Sequence, residues 1–321
     1  MNRKNIKPKI SVIMPVYNSK KFLDESIKSI LNQTFKDFEF IIINDCSTDK
    51  SLEIIKEYQN KDKRIKVINN KKNIGGPPSR NKGIKEAKGK YIAIMDSDDI
   101  SLPKRLEKQY NYLEKNKDIF LLGTGSINIS ESGKKQTSFL PPKEYIKIKK
   151  ILPYRNCLVH PSIMFRNNGK IRYREKFVYS EDYDLYLILL SEDKKIENIR
   201  EKLIKYRYAL NSIGQSKRGH QELFAEKTRK FYKERIKYLN DSYHEFEPQE
   251  ILGIDINKTK NPLFIKQEIY SSFKINNFKK TKKLCKKYFK HHGIFNAISL
   301  YYLLSFIGEK NVNSIRRLLF R

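Results

Sequence analysis

Four short apolar runs, separated by segments with helical spacing, restrict what the N-terminal part of this chain can fold into. Ile10 to Met14, Phe38 to Ile43, Ile65 to Ile68 and Tyr91 to Met95 have strand length. After the first run, cap-type Asn18 and Ser19 precede Leu23, Ile27, Ile30 and Leu31, which share a helix face. Leu52, Ile55 and Tyr58 mark a helix after the second run. The segment Asn73-Ile74-Gly75-Gly76-Pro77-Pro78 breaks the chain after the third, and a helix through Ile84 and Ala87 returns it. Most of the runs are apolar on both faces, as strands of a parallel sheet covered on both sides must be. Strand and helix alternate, so the predicted class is α/β: a mostly parallel sheet, right-handed crossovers and helices on both faces.

Open sheets of this kind bind ligands in the crevice outside the carboxyl ends of their strands. Each run here delivers polar residues to that crevice: Tyr17 and Asn18, then Asp45, then Arg80 on the third connection, then Asp96-Ser97-Asp98-Asp99. Clustered carboxylates repel one another unless a cation sits among them, and hard divalent ions share oxygen ligands readily with a diphosphate. A tyrosine can stack on a base, a carboxylate can accept from a base N–H, and an arginine can pair with phosphate. Taken singly, Asp45 also fits a helix cap, Arg80 a surface charge, Tyr17 a packing residue and the acidic quartet a solvated turn. Their placement at successive strand ends favours a nucleotide diphosphate site.

The segments Ser11-Val12-Ile13-Met14-Pro15-Val16-Tyr17-Asn18, Asn44-Asp45-Cys46-Ser47-Thr48-Asp49, Arg80-Asn81-Lys82-Gly83-Ile84 and Asp96-Ser97-Asp98-Asp99 resemble, in order and spacing, the family 2 glycosyltransferases with the Rossmann-like GT-A fold. The resemblance runs over roughly residues 9 to 210. It implies that Asp45 binds the nucleobase, usually uracil, with Pro15 and Tyr17 lining that pocket. It implies that Arg80 meets the pyrophosphate, Asp96 the ribose or sugar, and Asp99 the donor sugar or the metal. Asp98 would be the ligand of Mn²⁺ or Mg²⁺ in the DxD motif. The family often carries two aspartates and a glycine where this chain has Asn44, Asp45 and Cys46, so the turn beside the base is open to reshaping.

Beyond the acidic quartet, Leu106, Tyr110 and Leu113 mark a helix, and Phe120 to Leu122 a further strand. Residues 125 to 150 are polar and Lys-rich and are expected to form a loop and a helix. Val159 to Arg166 is predicted as a strand that closes the site. His160 on it is either a packed strand histidine or, as the resemblance implies, a group near the donor phosphates. Glu181-Asp182 opens an apolar helix to Leu190, where the macrodipole favours carboxylates. By the resemblance Asp182 is the catalytic base, taking the acceptor hydroxyl's proton during an inverting displacement, and Glu181 orients it or the acceptor. Lys205 to Tyr208 is expected as a late edge strand, with Arg207 either helping to hold a diphosphate or simply exposed.

The organisation expected is a catalytic domain over residues 1–215, with a nucleotide-binding half at 9–100 and an acceptor-binding half at 101–215. A basic helical region at 216–321 follows. The net charge of +31, from 67 Lys and Arg against 36 Asp and Glu, favours anionic partners. Part of it fits the joint richness in Lys, Ile, Asn, Tyr and Phe, with no Trp, that an AT-rich genome produces. No zinc, RNP-like or helix-turn-helix pattern supports the alternative of a nucleic-acid-binding protein. Cys46, Cys157 and Cys285 are scattered, which fits a reducing cytoplasm. No signal peptide is evident, and no run reaches the ~20 apolar residues of a membrane span. Around Phe278, Leu284, Cys285, Tyr288 and Phe289, seven lysines fill most remaining positions, and an apolar run from Ile294 to Ile307 precedes Arg316, Arg317 and Arg321. Two readings follow: helices lying in the plane of an anionic membrane at its inner face, or a helical hairpin packed on the catalytic domain with a solvated basic face. The leading expectation is a metal-dependent transferase using a UDP-sugar and a saccharide or lipid-linked acceptor for cell-surface glycan synthesis. A polyprenyl-phosphate glycosyltransferase and a catalytically dead sugar-binding relative are narrower alternatives.

Overall fold

The computed structural model describes residues 7–208, 217–254, 265–266, 268–269, 272–273, 277–293 and 298–307. The chain divides into two units, Met1–Ser216 with Lys227–Phe246, and Lys217–Glu226 with Glu247–Arg321.

The first unit is built on a nine-stranded sheet in the order β3-β2-β1-β4-β8-β6-β9-β5, with β7 paired to β6. Strands β1 (Ile10–Val16), β2 (Phe38–Asn44), β3 (Ile65–Asn69) and β4 (Tyr91–Ile94) run parallel, as the apolar runs require. Between them lie α1 (Leu23–Leu31), α2 (Ser51–Lys61) and α3 (Gly76–Glu86). Every residue of β2 and β4 is buried, and α1 covers the sheet with Leu23, Ile27 and Ile30. Helix α3 lies close against the strands at Gly83. A Cβ there would come within 2.7 Å of Ile13 Cγ2 and 2.8 Å of Ile43 Cδ1, so only glycine allows this approach.

The second half departs from the sequence expectations at three places. Strand β6 (Ile119–Ser130) does not stop at Leu122; it continues and forms a hairpin with β7 (Lys135–Phe139) before α5 (Tyr145–Ile151). Residues 125 to 139, expected as loop, are therefore largely strand. The predicted strand from Val159 is a 3₁₀ turn at His160–Ser162 followed by a short β8 (Met164–Arg166), antiparallel to both β4 and β6. Pro161 inside the turn explains the break, since it donates no ladder hydrogen bond. Lys205 to Tyr208 is the end of a 14-residue strand, β9 (Lys195–Tyr208). It is not an edge: it lies between β6, in parallel, and β5 (Ile100–Ser101), in antiparallel. Helix α4 (Arg105–Lys115) follows β5, and α6 (Glu181–Ser191) precedes β9.

In the second unit, the helix Phe278–His292 turns Thr281, Cys285 and Tyr288 inward. Its apolar face packs on Ile265, Ile269 and Ile298 of the same unit, leaving the lysines outside. No helix among the described residues is long and apolar enough to cross a membrane. Residues 294–297 of the apolar run, and Arg316, Arg317 and Arg321, lie outside the described residues.

Candidate active site

Hydrogen bonds string the ends of β1, β2, β3 and β4 into one wall. After β1, Asn18 Oδ1 accepts from Thr48 N at 2.8 Å, tying the first loop to the loop after β2. Ser19 Oγ lies 2.6 Å from Ser97 Oγ, tying the first loop to the acidic turn after β4. Asp45, at the end of β2, is buried. Its Oδ1 accepts from Asn70 Nδ2 (2.8 Å) and Ile74 N (2.9 Å), and its Oδ2 from Gly75 N (2.8 Å). Asp45 thus shapes the turn into α3. A carboxylate has about four acceptor positions, which leaves room for one further donor. Pro15 lies on β1 opposite Ile43 of β2, and Tyr17, just past the end of β1, is 49% exposed. Cys46 occupies the left-handed region at φ 59°. The turn keeps the conformation natural to glycine, with a side chain in its place.

Arg80, on α3, faces inward and is buried. Its Nη2 donates to Asp96 Oδ1 at 2.9 Å, and its Nη1 donates to Glu181 Oε1 at 2.8 Å. One guanidinium therefore joins the acidic turn to the N-terminus of α6. Burial is the largest influence and raises Asp96, but Arg80 together with His160 and Arg105 more than offsets it and holds the carboxyl below its ordinary value. Glu181 ends up the other way: burial outweighs Arg80, Asp182 adds repulsion, and its pKa rises to about 7. Asp182, next along α6, accepts from Asn156 Nδ2 at 2.9 Å on the exposed side. Ser180 before it sits at φ 63°, which turns the chain sharply into the helix.

Within the acidic turn the carboxylates have different surroundings. Asp99 is buried; its Oδ1 accepts from Arg207 N at 2.7 Å, while its Oδ2 has no partner. Burial and then Asp98 push its pKa well up. Asp98 is partly exposed, and burial with Asp96 nearby raises it to about 6. A carboxyl raised by like charge in an oxygen-only setting is what a hard divalent cation relieves. Asp98 is accordingly the residue that could hold Mn²⁺ or Mg²⁺. No preassembled set of three or more ligating side chains exists among the described residues. Asp98 would leave most coordination positions to water or substrate oxygens, as Mg²⁺ sites commonly do.

His160 lies in the 3₁₀ turn, not on a strand, and its Nε2 is 2.9 Å from Tyr173 Oη. Burial, and then Arg80, lower its pKa to about 4, so it is neutral at pH 7. Tyr173 stands between His160 and Arg80, whose guanidinium carbon is 5.8 Å from the ring centroid.

Two arginines support the acidic turn: Arg105, which the sequence does not mark as a site residue, and Arg207, for which it leaves diphosphate contact and exposure both open. Arg207 is buried rather than exposed. It donates from Nε to Asp98 O (2.8 Å), from Nη1 to Glu131 O (2.9 Å) and from Nη2 to Glu25 Oε2 (2.5 Å). Arg105, on α4, is fully buried and donates to Ile94 O at 2.7 Å. Burial lowers it to about 9, against the pull of Asp99 and Asp96. The sequence does carry a signal for Arg105: it shares helical spacing with Leu106, Gln109 and Leu113, all buried.

An acidic turn on a Rossmann-like sheet, clamped to a carboxylate-led helix, fits the GT-A fold, and comparisons with known proteins agree. Residues 11–172 match the model of glycosyl transferase family 2. The chain is 45% identical over 243 residues to the uncharacterized glycosyltransferase MJ1057 of Methanocaldococcus jannaschii, covering 74% of this chain and 84% of that protein. It is 40% identical over 245 residues to the O-antigen biosynthesis glycosyltransferase WbnJ of Escherichia coli, covering 73% and 94%. The fold matches that of S. aureus TarS 1–349 in complex with UDP, with a TM-score of 0.57 at 20% identity over 96% of this chain and 91% of that one. The chain belongs to glycosyl transferase family 2 and is a glycosyltransferase with the GT-A fold.

Proposed function

We propose that this enzyme transfers a sugar from a nucleoside diphosphate sugar, with UDP as the preferred nucleotide, to a saccharide or lipid-linked acceptor, inverting the anomeric centre. The observation that carries this reading is the joining of Asp96 to Glu181 by Arg80. It brings a carboxylate turn suited to a diphosphate beside a helix start that offers a base. WbnJ's part in O-antigen biosynthesis supports a role in making a cell-surface polysaccharide, with the donor side in the cytoplasm and the acceptor at the inner face of the membrane. The UDP held by TarS supports the nucleotide.

In this mechanism Tyr17 and Pro15 line the base pocket, and Asp45 accepts a base N–H with its remaining acceptor position. Asp182, on the exposed side of α6, takes the acceptor hydroxyl's proton. The hydroxyl oxygen bonds to the anomeric carbon from the face opposite the diphosphate. The bond from that carbon to the diphosphate oxygen breaks, and the oxygen keeps the electron pair. Arg80, held at both ends, presents a fixed positive charge toward the leaving group without reorganising. Asp98 would hold the divalent cation, which supplies further charge neutralisation when bound. Glu181, with its pKa at about 7, orients Asp182 and the acceptor, while neutral His160 and Tyr173 pack behind Arg80.

The test is transfer from a panel of UDP- and GDP-sugars to saccharide acceptors with Mn²⁺, followed by assignment of the product linkage by NMR. Inversion of the donor's anomeric configuration is expected. A retained configuration would exclude the displacement described.

A further inference from the structure

Helix α3 has a second working face. Arg80 points into the active site, but Lys82 and Lys85 point outward, where they line two adjoining grooves. The larger, of about 970 Å³, is also bordered by Lys72, Arg172, Arg174 and Tyr173. The smaller, of about 510 Å³, adds Lys66 and Lys88. Because Lys82 and Lys85 belong to both, the grooves form one continuous track across the outside of the helix.

The charge on this track is only partly compensated and is positive in balance. Arg174 is committed to Asp184 and Asp241, and Lys66 to Glu39. Lys72, Lys82, Lys85, Lys88 and Arg172 are exposed and have no carboxylate partner among the described residues; Lys82 donates only to Asn70 Oδ1, at 2.7 Å. The carboxylates on the lining are Glu175, which accepts from Asn81, and Glu86. Concave walls of one sign focus the field and concentrate counter-charges. Unpaired cations spaced along an open groove match the charge of an extended polyanion.

We infer that this track binds an extended anionic saccharide, one bearing phosphodiesters or carboxylates along its length, as a remote subsite for the acceptor polymer. The inference rests on the glycosyltransferase reading above and deepens it on the acceptor side. Tyr173 forms the physical link: it lines the larger groove and also contacts His160 inside the active site. A chain seated on the track therefore lies on the other side of one aromatic wall from the reacting centre.

Binding can be read without turnover, by titrating fluorescent poly(glycerol phosphate) and polygalacturonate, with neutral dextran as control, into the full chain and into Lys85→Glu/Arg172→Glu. Neither substituted residue contacts the nucleotide site, so UDP-induced thermal stabilisation of the variant reports separately on the proposed function. The expected result is salt-sensitive binding of both polyanions, none of dextran, and a loss of roughly tenfold or more in the double variant. Polyanion binding unchanged by the two reversals would overturn the assignment. So would equal, equally variant-sensitive binding to single-stranded DNA or to phosphatidylglycerol vesicles, because the track would then serve nucleic acid or membrane.

Discussion

Asp96 and Glu181 share one guanidinium: Arg80 donates to the first at 2.9 Å and to the second at 2.8 Å. One carboxylate ends a core strand and the other opens a helix far along the chain, so the two halves of the active site are set by a single buried side chain. Arg80→Ala should leave both carboxylates without their cation. A destabilisation of about 3–5 kcal/mol is expected, measured by urea unfolding, together with loss of transfer. A stability change below about 1 kcal/mol would mean that the clamp is not structural.

The chemistry assigned to Asp182 separates from binding. Asp182→Asn should retain UDP-induced stabilisation while turnover falls by roughly 10²–10⁴-fold, the usual contribution of a positioned base. Near-normal turnover would remove Asp182 from that role.

The φ of 59° at Cys46 carries a backbone cost that glycine would not have. The left-handed conformation costs an L-residue roughly 1–2 kcal/mol, partly offset in the variant by the greater entropy of unfolded glycine. Cys46→Gly should therefore raise stability by about 0.5–1 kcal/mol in urea unfolding without weakening UDP binding. Destabilisation would show that the Sγ contact with Lys71 O, at 3.7 Å, outweighs the strain.

His160 gives a pH signature. Its folded-state pKa, lowered to about 4 by burial and then by Arg80, lies below the unfolded value near 6.5. The unfolded chain takes up a proton first, so the stabilisation is complete above pH ~6.5 and is lost as pH falls toward 4. His160→Gln should reduce the acid-side loss between pH 6.5 and 4 by on the order of 1–3 kcal/mol. Parallel stability–pH curves for the two proteins would show that the residue is not buried neutral.

The parts of the fold visible in the sequence are those where local pattern and tertiary role coincide. The strands from Ile10 to Met95 are buried on both faces, so hydrophobicity alone marks them. Strand β9 was legible only at its end: Arg200-Glu201-Lys202 and Leu203-Ile204 break any alternation along Lys195–Tyr208, and its pairing with β6 is a long-range fact that no local period encodes. Pro161 turned an expected strand into a 3₁₀ turn. In the site, the carboxylates were visible because they cluster in one turn, and Arg80 because it falls in a recognisable motif. Arg105 was not, and Arg207 was only one of two open readings, because an isolated arginine in a Lys-rich chain looks like surface until its burial beneath the acidic turn is seen.

The most direct test of the account is thermal stabilisation by UDP with Mn²⁺ and with EDTA, in the native chain and in Asp98→Asn. A ligand that binds the folded state alone must raise its stability. The expected result is a UDP shift that requires Mn²⁺ in the native chain and disappears in Asp98→Asn. An equal shift in EDTA, or an undiminished Mn²⁺-dependent shift in the variant, would contradict the assignment of Asp98 as the metal-holding residue of a nucleotide-sugar site.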